Sequence, residues 1–371
     1  MSAPNLDSWH MRLALDLAVR GRGAVEPNPM VGCVIAHGAE VVGLGWHRNY
    51  GGPHAEIEAL RVAGERAAGA AMYVTLEPCC HHGKTPPCTQ AVIAARIRRV
   101  IVAQRDPFPA VDGGGLAELQ AAGVELEVGV HEAAACRINA PYLKLLEQRR
   151  PWIMAKWAMT LDGKLATRKG HSRWISGDAS RRRVHELRGQ VDAIIVGRGT
   201  AVADDPLLTA RPPGPRVPTR IVVDSRALLD SSSQLVQTAA EAPVLVAAGD
   251  DALPADRRRL AKAGCEVFIC EGESADARIE SLLDELGRRR MTNVLVEGGG
   301  RLLGSLFDRR LIDEVHVFVA PRLAGGADAP SPIAGLGVET MAEALQVEGP
   351  KWEILEQDLY LTGRVARDLA E

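Results

Sequence analysis

The chain has 371 residues, more than a single domain usually contains, so its length favours two domains that each bury a core of their own. Apolar residues make up 46% and charged residues 25% of the sequence, which is typical of a globular protein and excludes a disordered one. The formal net charge of −3 gives no general attraction to polyanions, which argues against a dedicated nucleic-acid-binding protein and favours small-molecule substrates.

The beginning of the chain and its cysteines indicate a compartment. The first residues lack the basic-then-apolar order of a signal peptide, and no apolar run reaches the roughly 18 residues that a membrane span needs. Of the 7 cysteines, Cys79, Cys80 and Cys88 stand close together, which in a reducing compartment favours metal binding over a disulfide. We therefore expect a cytoplasmic protein.

Helical and strand periodicities alternate along the first part of the chain. The predicted elements are a helix over 7–19, a hairpin of strands 31–36 and 40–45 with its turn at 37–39, a helix over 55–67, a strand over 71–78, a helix over 89–95, a strand over 98–106, a helix and a strand within 113–127, and a helical connector over 139–150. This order indicates a layered α/β domain that ends near residue 147. The predicted domains are therefore 1–147 and 148–371.

Short apolar strands recur through the second part of the chain. They are predicted at 151–159, 192–197, 219–224, 243–249, 265–270, 293–300 and 314–321. The helical or loop stretches between most of them predict a second, larger and mostly parallel sheet. The Pro- and Gly-rich stretch 211–219 is interpreted as a surface loop.

One histidine and two cysteines have the pattern of a catalytic zinc site. His54 is placed at the start of a helix, and Cys79 and Cys88 lie where a strand runs into the next helix. The positive end of a helix dipole favours the thiolate, which is the form that binds zinc. One imidazole and two thiolates leave the fourth tetrahedral position open to a water molecule, whose pKa then falls to about 7.

Glu56 follows His54 in the same predicted helix and supplies a carboxylate that can move a proton from this water to a departing amine. Base deaminases carry H-x-E followed by P-C-x-x-C, whereas residues 80–87 separate Cys79 from Cys88 in this chain. An alternative is a structural zinc site in which Cys80, His81 or His82 is the fourth ligand, and that alternative leaves Glu56 without a role.

Three stretches of the first domain resemble the deaminase half of the bifunctional deaminase/reductase family of bacterial riboflavin biosynthesis. They are PNPMVGCVI (Pro27 to Ile35), HRNYGGPHAEIEAL (His47 to Leu60) and YVTLEPCCHHGKTPPCTQA (Tyr73 to Ala91). The long insert between the cysteines, which ends in HHGKTPPC, is characteristic of that family. The resemblance implies a cytidine-deaminase-like, three-layer domain with one Zn²⁺ per chain, held by His54, Cys79 and Cys88.

The resemblance also implies a substrate. It is 2,5-diamino-6-(5-phosphoribosylamino)pyrimidin-4-one, whose ring amine is hydrolysed to a carbonyl. Asn28 would then contact the base or the ribose, although this residue also fits a turn between Pro27 and Pro29. Cys80 stands where many relatives carry a serine, and we take Cys79 as the ligand because it directly follows Pro78.

The second domain contains a glycine-rich turn between a predicted strand and a helix, in NVLVEGGGRLLGSLF (Asn293 to Phe307). Glycines at such a turn allow backbone N–H groups to approach a phosphate, and the helix N-terminus adds positive potential. The pattern differs from G-x-G-x-x-G, and a plain tight turn is the alternative.

The second domain resembles the reductase half of the same family, which is similar to dihydrofolate reductases. The stretches that carry the resemblance are KWAMTLDGKLAT, GHSRWISG, VGRGTAVADDPLLTAR, RIVVDS and LVEGGGRLLGSL. The resemblance implies an NADPH site lined by Ala158, Trp174, Thr200, Asp204, Ser225, Gly299, Gly300, Arg301, Leu302, Leu303, Gly304 and Ser305. It implies that the residues facing the substrate are Ser172, Arg188, Leu207, Arg211 and Glu297.

The implied reaction is a hydride transfer from NADPH to the ring-opened ribosyl carbon, which gives 5-amino-6-(5-phosphoribitylamino)uracil. Arg188 and Arg211 suit a ribose phosphate, because a guanidinium binds phosphate through paired donors. Asp204 and Lys156 are alternative proton donors. The family resemblance also implies a homo-oligomer, either a dimer or a tetramer.

Two alternatives keep the deaminase but change the second domain. In the first, the chain deaminates a base in tRNA and the second domain binds RNA, which the negative charge and the HHGKTPPC insert disfavour. In the second, the second domain senses a nucleotide and regulates the first domain without turnover.

Overall fold

The computed structural model describes residues 5–83 and 86–366, so Lys84 and Thr85 of the insert between the cysteines lie outside the described residues. The chain divides into two compact units between Gln148 and Arg149, next to the predicted boundary. None of the described helices is long and apolar enough to cross a membrane.

The first unit is built around a five-stranded sheet. Its elements are α1 (Leu6–Ala18), β1 (Gly32–His37), β2 (Glu40–Trp46), α2 (Ala55–Ala63), β3 (Ala71–Val74), α3 (Cys88–Ala94), β4 (Arg99–Val102), α4 (Gly114–Ala121), β5 (Glu125–Val128), α5 (Glu132–Ile138) and α6 (Ala140–Gln148), with 3-10 turns at Val19–Gly21 and Gly64–Ala67. The strand order is β2-β1-β3-β4-β5. Strand β1 is antiparallel to β2 and β3, while β3, β4 and β5 are parallel.

Side chains alternate across this sheet because successive strand residues face opposite sides. Cys33 and Ile35 of β1 pack in a core with residues of α2, α3 and α4. Val34 and Ala36 pack in a second core with residues of α1 and α5. The helices therefore cover both faces of the sheet, and the predicted three-layer arrangement is confirmed.

Several predicted elements of the first unit are longer than the observed ones. The strands predicted over 71–78 and 98–106 end at Val74 and Val102, and the remaining residues form the loops that carry the candidate site. The helix predicted over 55–67 changes to a 3-10 turn at Gly64, whose φ of 57° is unfavourable for other residues. Helix α5 precedes the predicted connector and was not predicted.

The second unit contains a nine-stranded sheet. Its elements are β6 (Trp152–Thr160), α7 (Asp178–Arg188), β7 (Ala193–Gly197), α8 (Arg198–Asp204), β8 (Thr219–Val223), α9 (Gln234–Gln237), β9 (Val244–Ala248), α10 (Pro254–Lys262), β10 (Glu266–Ile269), α11 (Ala275–Arg288), β11 (Asn293–Val296), α12 (Gly300–Asp308), β12 (Glu314–Ala320), a 3-10 turn (Met341–Glu343), β13 (Val347–Leu355) and β14 (Asp358–Val365).

The strand order of the second sheet is β10-β9-β8-β7-β11-β6-β12-β14-β13. Every neighbouring pair from β10 to β12 is parallel, which confirms the predicted mostly parallel sheet. The antiparallel hairpin of β13 and β14 was not predicted. Strand β13 lies at the sheet edge with most of its residues exposed, so its sequence lacks a buried apolar alternation.

The parallel strands determine where the sites can form. In a parallel sheet the carboxyl ends of neighbouring strands share one edge, and the loops that leave this edge lie side by side. The predicted zinc ligand Cys79 follows β3, and most of the predicted reductase residues follow or end β6, β7, β8 and β11. Each unit therefore collects its polar residues at the carboxyl edge of its own sheet.

Candidate functional site

Three side chains of the first unit form the metal-binding group that the described residues contain. One donor atom from each of His54, Cys79 and Cys88 lies within 4.8 Å of the other two. The Nδ1 atom of His54 is 3.2 Å from Sγ of Cys88 and 3.5 Å from Sγ of Cys79. Ligands at 2.0–2.3 Å from a tetrahedral zinc ion are about 3.3–3.8 Å apart, so the spacing and the donor types fit zinc.

Local structure holds these three ligands. His54 is the N-cap residue of α2 and Cys88 is the first residue of α3. Cys79 lies in the loop after β3, and its main-chain oxygen accepts hydrogen bonds from the main-chain N–H and the hydroxyl of Thr89, at 3.3 Å and 3.4 Å. The loop that carries Cys79 is thereby tied to the helix that carries Cys88.

A buried carboxylate holds the same loop from its other side. Glu77 precedes Pro78 and Cys79, and its side chain is buried. Its carboxylate accepts main-chain hydrogen bonds from Asp106, Gly113 and Leu116, at 3.3, 3.1 and 3.1 Å. The Glu77 carboxylate is therefore occupied by main-chain N–H groups, and its role is to hold the backbone of the surrounding loops.

Glu56 differs from Glu77, because one of its carboxylate oxygens accepts no hydrogen bond from the described residues. Its residue is only 3% exposed, and Oε2 has no hydrogen-bond partner among the described residues. Burial raises the pKa of Glu56. A buried carboxylate oxygen without a partner is costly unless a ligand or water completes it, so its position beside the three ligands fits a proton-transferring group.

The ligands themselves are electrically coupled. Hydrogen bonds from Cys88 and His54 lower the pKa of Cys79 to about 4. The contact with Cys79, followed by burial, raises the pKa of Cys88, and the hydrogen bond to Cys79 raises the pKa of His54. The site therefore favours a thiolate at Cys79, which is the form that binds a metal.

The residues suggested as a fourth protein ligand are not part of this group. Sγ of Cys80 contacts the main-chain oxygen of Ala110 at 3.8 Å. The ring of His81 packs against Phe108, and His82 is exposed. Among the described residues the metal group is thus limited to three protein donors, which is the ligand number of a catalytic zinc site.

Asn28 reaches the edge of the metal group through a second histidine. Its Nδ2 atom is 3.3 Å from Nε2 of His47, and Nδ1 of His47 is 3.0 Å from the main-chain oxygen of Pro53. The rings of His47 and His54 lie edge to face, with their centroids 5.4 Å apart. Asn28 is therefore two contacts away from a metal ligand.

A buried ion-pair group dominates the polar residues of the second unit. Arg188 donates to both carboxylate oxygens of Glu297, at 2.5 Å and 2.8 Å, and Nζ of Lys156 is 3.7 Å from Oε2. Burial alone would raise the pKa of Glu297, but Arg188 and Lys156 outweigh it and lower the pKa to about 2. Because the pKa of Glu297 is lowered from its ordinary value of 4.5, the ionised carboxylate stabilises the fold at neutral pH. This contribution is lost progressively as the pH falls from about 4.5 through about 2.

The turn before α12 approaches α8 closely. The N–H of Gly299 donates to Oγ1 of Thr200 at 3.0 Å. Gly299 has a φ of 41°, and a Cβ atom on Gly304 would lie 2.1 Å from the main-chain oxygen of Ala334. The positive φ of Gly299 therefore favours a glycine in the turn, whereas Gly304 lies inside α12 and is needed because the helix packs closely against Ala334.

The other predicted cofactor residues occupy different environments. Ala158 lies on β6, Asp204 ends α8, Ser225 follows β8, and Arg301, with Gly300 and Ser305, belongs to α12. The side chains of Leu302 and Leu303 belong to the hydrophobic core, so only their backbone can face a ligand. Trp174 is 62% exposed and lies under the guanidinium of Arg181.

The remaining predicted substrate residues are partly accessible. Ser172 and Leu207 are half-buried, and Arg211 is exposed. The main-chain oxygen of Leu207 accepts a hydrogen bond from the buried guanidinium of Arg220 at 3.2 Å. The guanidinium of Arg188 donates hydrogen bonds to Glu297 and to the main-chain oxygen of Thr209. Of the two arginines predicted to bind phosphate, Arg211 is therefore the more accessible one.

Sequence reasoning missed His47, Glu77 and Arg220. His47 begins the quoted stretch HRNYGGPHAEIEAL, and Glu77 directly precedes the Pro-Cys pair, so both had a positional signal. Arg220 had none, because an arginine inside an apolar strand is normally read as a surface residue. Only the fold shows that it is fully buried.

The chain matches two family models. Residues 4–104 match the cytidine and deoxycytidylate deaminase zinc-binding region. Residues 151–361 match the RibD C-terminal domain. One match lies in each unit, and residues 105–150 between the matches and the two chain ends are left unmatched.

Similar proteins cover nearly the whole chain. The riboflavin biosynthesis protein RibD of Actinobacillus pleuropneumoniae is 39% identical over 355 residues, covering 96% of this chain and 94% of the relative. RibD of Aquifex aeolicus is 41% identical over 357 residues, covering 96% and 98%.

Solved structures agree over the same length. Form 1 of Acinetobacter baumannii RibD is 35% identical, with a TM-score of 0.86 and coverage of 98% and 99%. A Thermotoga maritima structure described as a diaminohydroxyphosphoribosylaminopyrimidine deaminase/5-amino-6-(5-phosphoribosylamino)uracil reductase is 31% identical, with a TM-score of 0.83 and coverage of 97% and 99%. The likeness therefore includes both units.

The buried ion-pair group predicts an unequal response to two similar substitutions. Glu297→Gln leaves Arg188 and Lys156 buried without their carboxylate, which should lower the free energy of unfolding of the second unit by about 3–5 kcal/mol. The matched control is Glu353→Gln, which breaks an exposed bidentate pair with Arg183 and should leave the unfolding midpoint unchanged. Urea unfolding measures both, and equal shifts would contradict the assignment of Glu297 as the charge that balances this group.

Proposed function

The chain belongs to the RibD family of bifunctional riboflavin biosynthesis enzymes, and we propose that its first unit is the zinc-dependent deaminase and its second unit the NADPH-dependent reductase. The chain is a deaminase and a reductase of riboflavin biosynthesis. The second unit is thus an enzyme, and its interpretation as an RNA-binding or nucleotide-sensing module is not retained.

The proposed substrate of the first unit is 2,5-diamino-6-(5-phosphoribosylamino)pyrimidin-4-one. The name of the Thermotoga maritima protein supports it, because that name specifies a diaminohydroxyphosphoribosylaminopyrimidine deaminase. The same name specifies a 5-amino-6-(5-phosphoribosylamino)uracil reductase, so the second unit would take the deaminated product and form 5-amino-6-(5-phosphoribitylamino)uracil. The two activities would then act in sequence.

The observation that carries the deaminase proposal is the group of three donors beside a buried carboxylate. His54, Cys79 and Cys88 would hold one Zn²⁺, and their spacing and chemistry fit that ion. Bound there, zinc would supply a Lewis acid that makes a water molecule acidic near neutral pH. The chain itself supplies the ligand geometry and the proton carrier.

Glu56 is the proposed proton carrier. Its Oε2 atom is buried and has no partner among the described residues, so it is available to accept a proton from the attacking water. The raised pKa of Glu56, caused by burial, suits a group that must then hold this proton and donate it to the departing amine. Ammonia leaves with that proton, and the ring carbon keeps the oxygen as a carbonyl.

Asn28 is proposed to bind the base or the ribose of the substrate. Its contact with His47 directs the amide toward the histidine that packs on His54. The alternative was that Asn28 only forms a turn, and its main-chain N–H does donate to Val25 at 3.0 Å. The main chain and the side chain can serve both purposes at once.

The reductase site is proposed to lie at the carboxyl edge of the second sheet. NADPH, when bound, would supply a hydride to the ring-opened ribosyl carbon. The backbone of the turn at Gly299 and Gly300 would face its phosphates, and Thr200 holds this turn through the N–H of Gly299. The other residues proposed for this cofactor are Ala158, Trp174, Asp204, Ser225, Arg301, Leu302, Leu303, Gly304 and Ser305.

On the substrate side, Arg211 is proposed to bind the ribose phosphate, because Arg188 is occupied by Glu297. Ser172 and Leu207 would line the same side. Lys156 is the proposed proton donor: burial lowers its pKa, and Glu297 keeps it close to the ion-pair group. Asp204, the last residue of α8, is the alternative proton donor. We also propose a homo-oligomer, from the family resemblance, and a cytoplasmic location, from the sequence of the first residues and the crowded cysteines.

Replacing the proton carrier should separate the two activities. Glu56→Gln keeps the size of the side chain and removes the proton-accepting carboxylate, so deamination should fall by about 10²–10⁴-fold. Zinc content and reduction of the deaminated pyrimidine should stay at wild-type values, because neither uses Glu56. Ammonia release, metal analysis and NADPH oxidation measure the three quantities. Deamination within a few-fold of wild type would remove Glu56 from the mechanism.

Two adjacent cysteines provide a matched test of the metal ligands. Cys79→Ser should abolish stoichiometric zinc binding and deamination, since it removes one of three donors. Cys80→Ser should bind one zinc per chain and keep its activity, because Sγ of Cys80 contacts Ala110 instead. Metal analysis after dialysis measures zinc in both proteins. The opposite pattern would transfer the ligand from Cys79 to Cys80.

A further inference from the structure

A buried asparagine outside the zinc-binding region holds the loop that carries Asn28. Asn139 lies between α5 and α6 and is 1% exposed. Its Oδ1 atom accepts a hydrogen bond from the main-chain N–H of Met30 at 2.8 Å, and its Nδ2 atom donates to the main-chain oxygen of Met30 at 3.0 Å. One side chain thus binds both polar groups of a single residue.

This double contact requires a primary amide. An amide side chain offers a donor and an acceptor side by side, whereas a carboxylate can only accept and an aliphatic side chain can do neither. The site is buried, so the polar groups of Met30 would otherwise be left without partners. Asn139 therefore fixes the orientation of the backbone at Met30, because it pairs with both the N–H and the carbonyl oxygen of that residue, as a neighbouring β-strand does.

The fixed backbone is close to the proposed substrate contact. Met30 follows Asn28 and Pro29 in a segment without helix or strand, just before β1. Asn28 contacts His47, which binds the main-chain oxygen of Pro53 and packs on the metal ligand His54. A continuous series of contacts therefore joins Asn139 to the edge of the metal group.

Helix α6 makes a second contact of the same kind. The hydroxyl of Tyr142 donates to Oδ1 of Asp106 at 2.9 Å. Asp106 lies in the loop after β4, and its main-chain N–H binds Glu77, which precedes the loop of Cys79. The α5–α6 corner thus reaches both the loop of Asn28 and the loop that supports a metal ligand.

This corner lies outside the part of the chain that matches zinc-binding deaminases in general. That match ends at residue 104, whereas Asn139 and Tyr142 come later in the same unit. The general region supplies the metal ligands and Glu56, and the added helices hold the loops around them. The α5–α6 corner is therefore suited to orienting the residues that bind one particular substrate. The metal ligands and Glu56, which would perform the deamination, come from the general region.

We propose that Asn139 is a positioning residue of the deaminase, which orients Asn28 toward the substrate by holding the backbone of Met30. The inference rests on the proposed role of Asn28 in substrate binding. It assigns no chemical step to Asn139, whose effect is transmitted through Met30. A purely structural role would instead affect folding without a specific connection to Asn28.

The first test is Asn139→Asp, which keeps the acceptor for the N–H of Met30 and replaces the donor by an oxygen that repels the oxygen of Met30. The KM for the diaminopyrimidine should rise about tenfold, while kcat changes by less than about threefold. Zinc per chain and reduction of the deaminated pyrimidine should equal those of the wild type. A KM unchanged from wild type would overturn the proposal.

The decisive test is a double-mutant cycle with Asn28→Ala. If Asn139 acts through Asn28, Asn139→Asp should lower kcat/KM about tenfold in the wild-type background and less than about twofold in the Asn28→Ala background. The same tenfold loss in both backgrounds would overturn the proposal. If Asn139→Asp also loses reductase activity through misfolding, Asn139→Ala, which removes both contacts with Met30 without adding a carboxylate, replaces it in the cycle under the same criterion.

The outcomes distinguish this inference from the function on which it rests. A wild-type chain that binds zinc but does not deaminate the diaminopyrimidine would overturn both. An active wild type with independent effects of Asn28→Ala and Asn139→Asp would overturn the positioning role alone and leave the deaminase assignment intact.

Discussion

The first unit depends on one constraint, which is that an imidazole, two sulfur atoms and a carboxylate must be held a few ångströms apart away from bulk water. Side chains on a flexible surface could not stay so close, because each unpaired polar atom would turn toward solvent. Here the N-cap position of α2, the first residue of α3 and the loop after β3 supply His54, Cys88 and Cys79. Glu77 and Thr89 fix the loop of Cys79 through hydrogen bonds with main-chain atoms. The rigid surroundings keep Oε2 of Glu56 buried, although it has no hydrogen-bond partner among the described residues.

The second unit meets the same constraint by different means. Its buried carboxylate, Glu297, is balanced by two cations on neighbouring elements and not left open. A compact charged group of this kind is rigid, because moving any member would leave a buried charge unpaired. The parallel sheet places this group and the Gly299 turn within one unit, as reduction of a bound sugar beside a nucleotide requires. The candidate residues of each proposed site therefore come from a single unit of the chain.

The prediction from sequence was strong where chemistry restricts residue type and weak where backbone geometry decides. The grouping of His54, Cys79 and Cys88 near Glu56 and the two sheets were predicted, because few patterns combine those residues with buried strands in that order. The lengths of β3 and β4 were overestimated, since apolar residues continue past Val74 and Val102 into loops that are also buried. Asn139 and Arg220 could not be found, because most of their hydrogen-bond partners are main-chain atoms of other segments, and such partners cannot be recognised from residue types.

A bifunctional RibD chain must remove the ring amine first and then reduce the sugar of the same molecule. The most direct measurement follows ammonia and NADPH in one sample of zinc-loaded protein supplied with the diaminopyrimidine. Ammonia should appear first, NADPH oxidation should follow after a lag, and the final amounts of ammonia and oxidised NADPH should be equal. NADPH oxidation without ammonia, or ammonia release with no oxidation of NADPH, would contradict the bifunctional assignment.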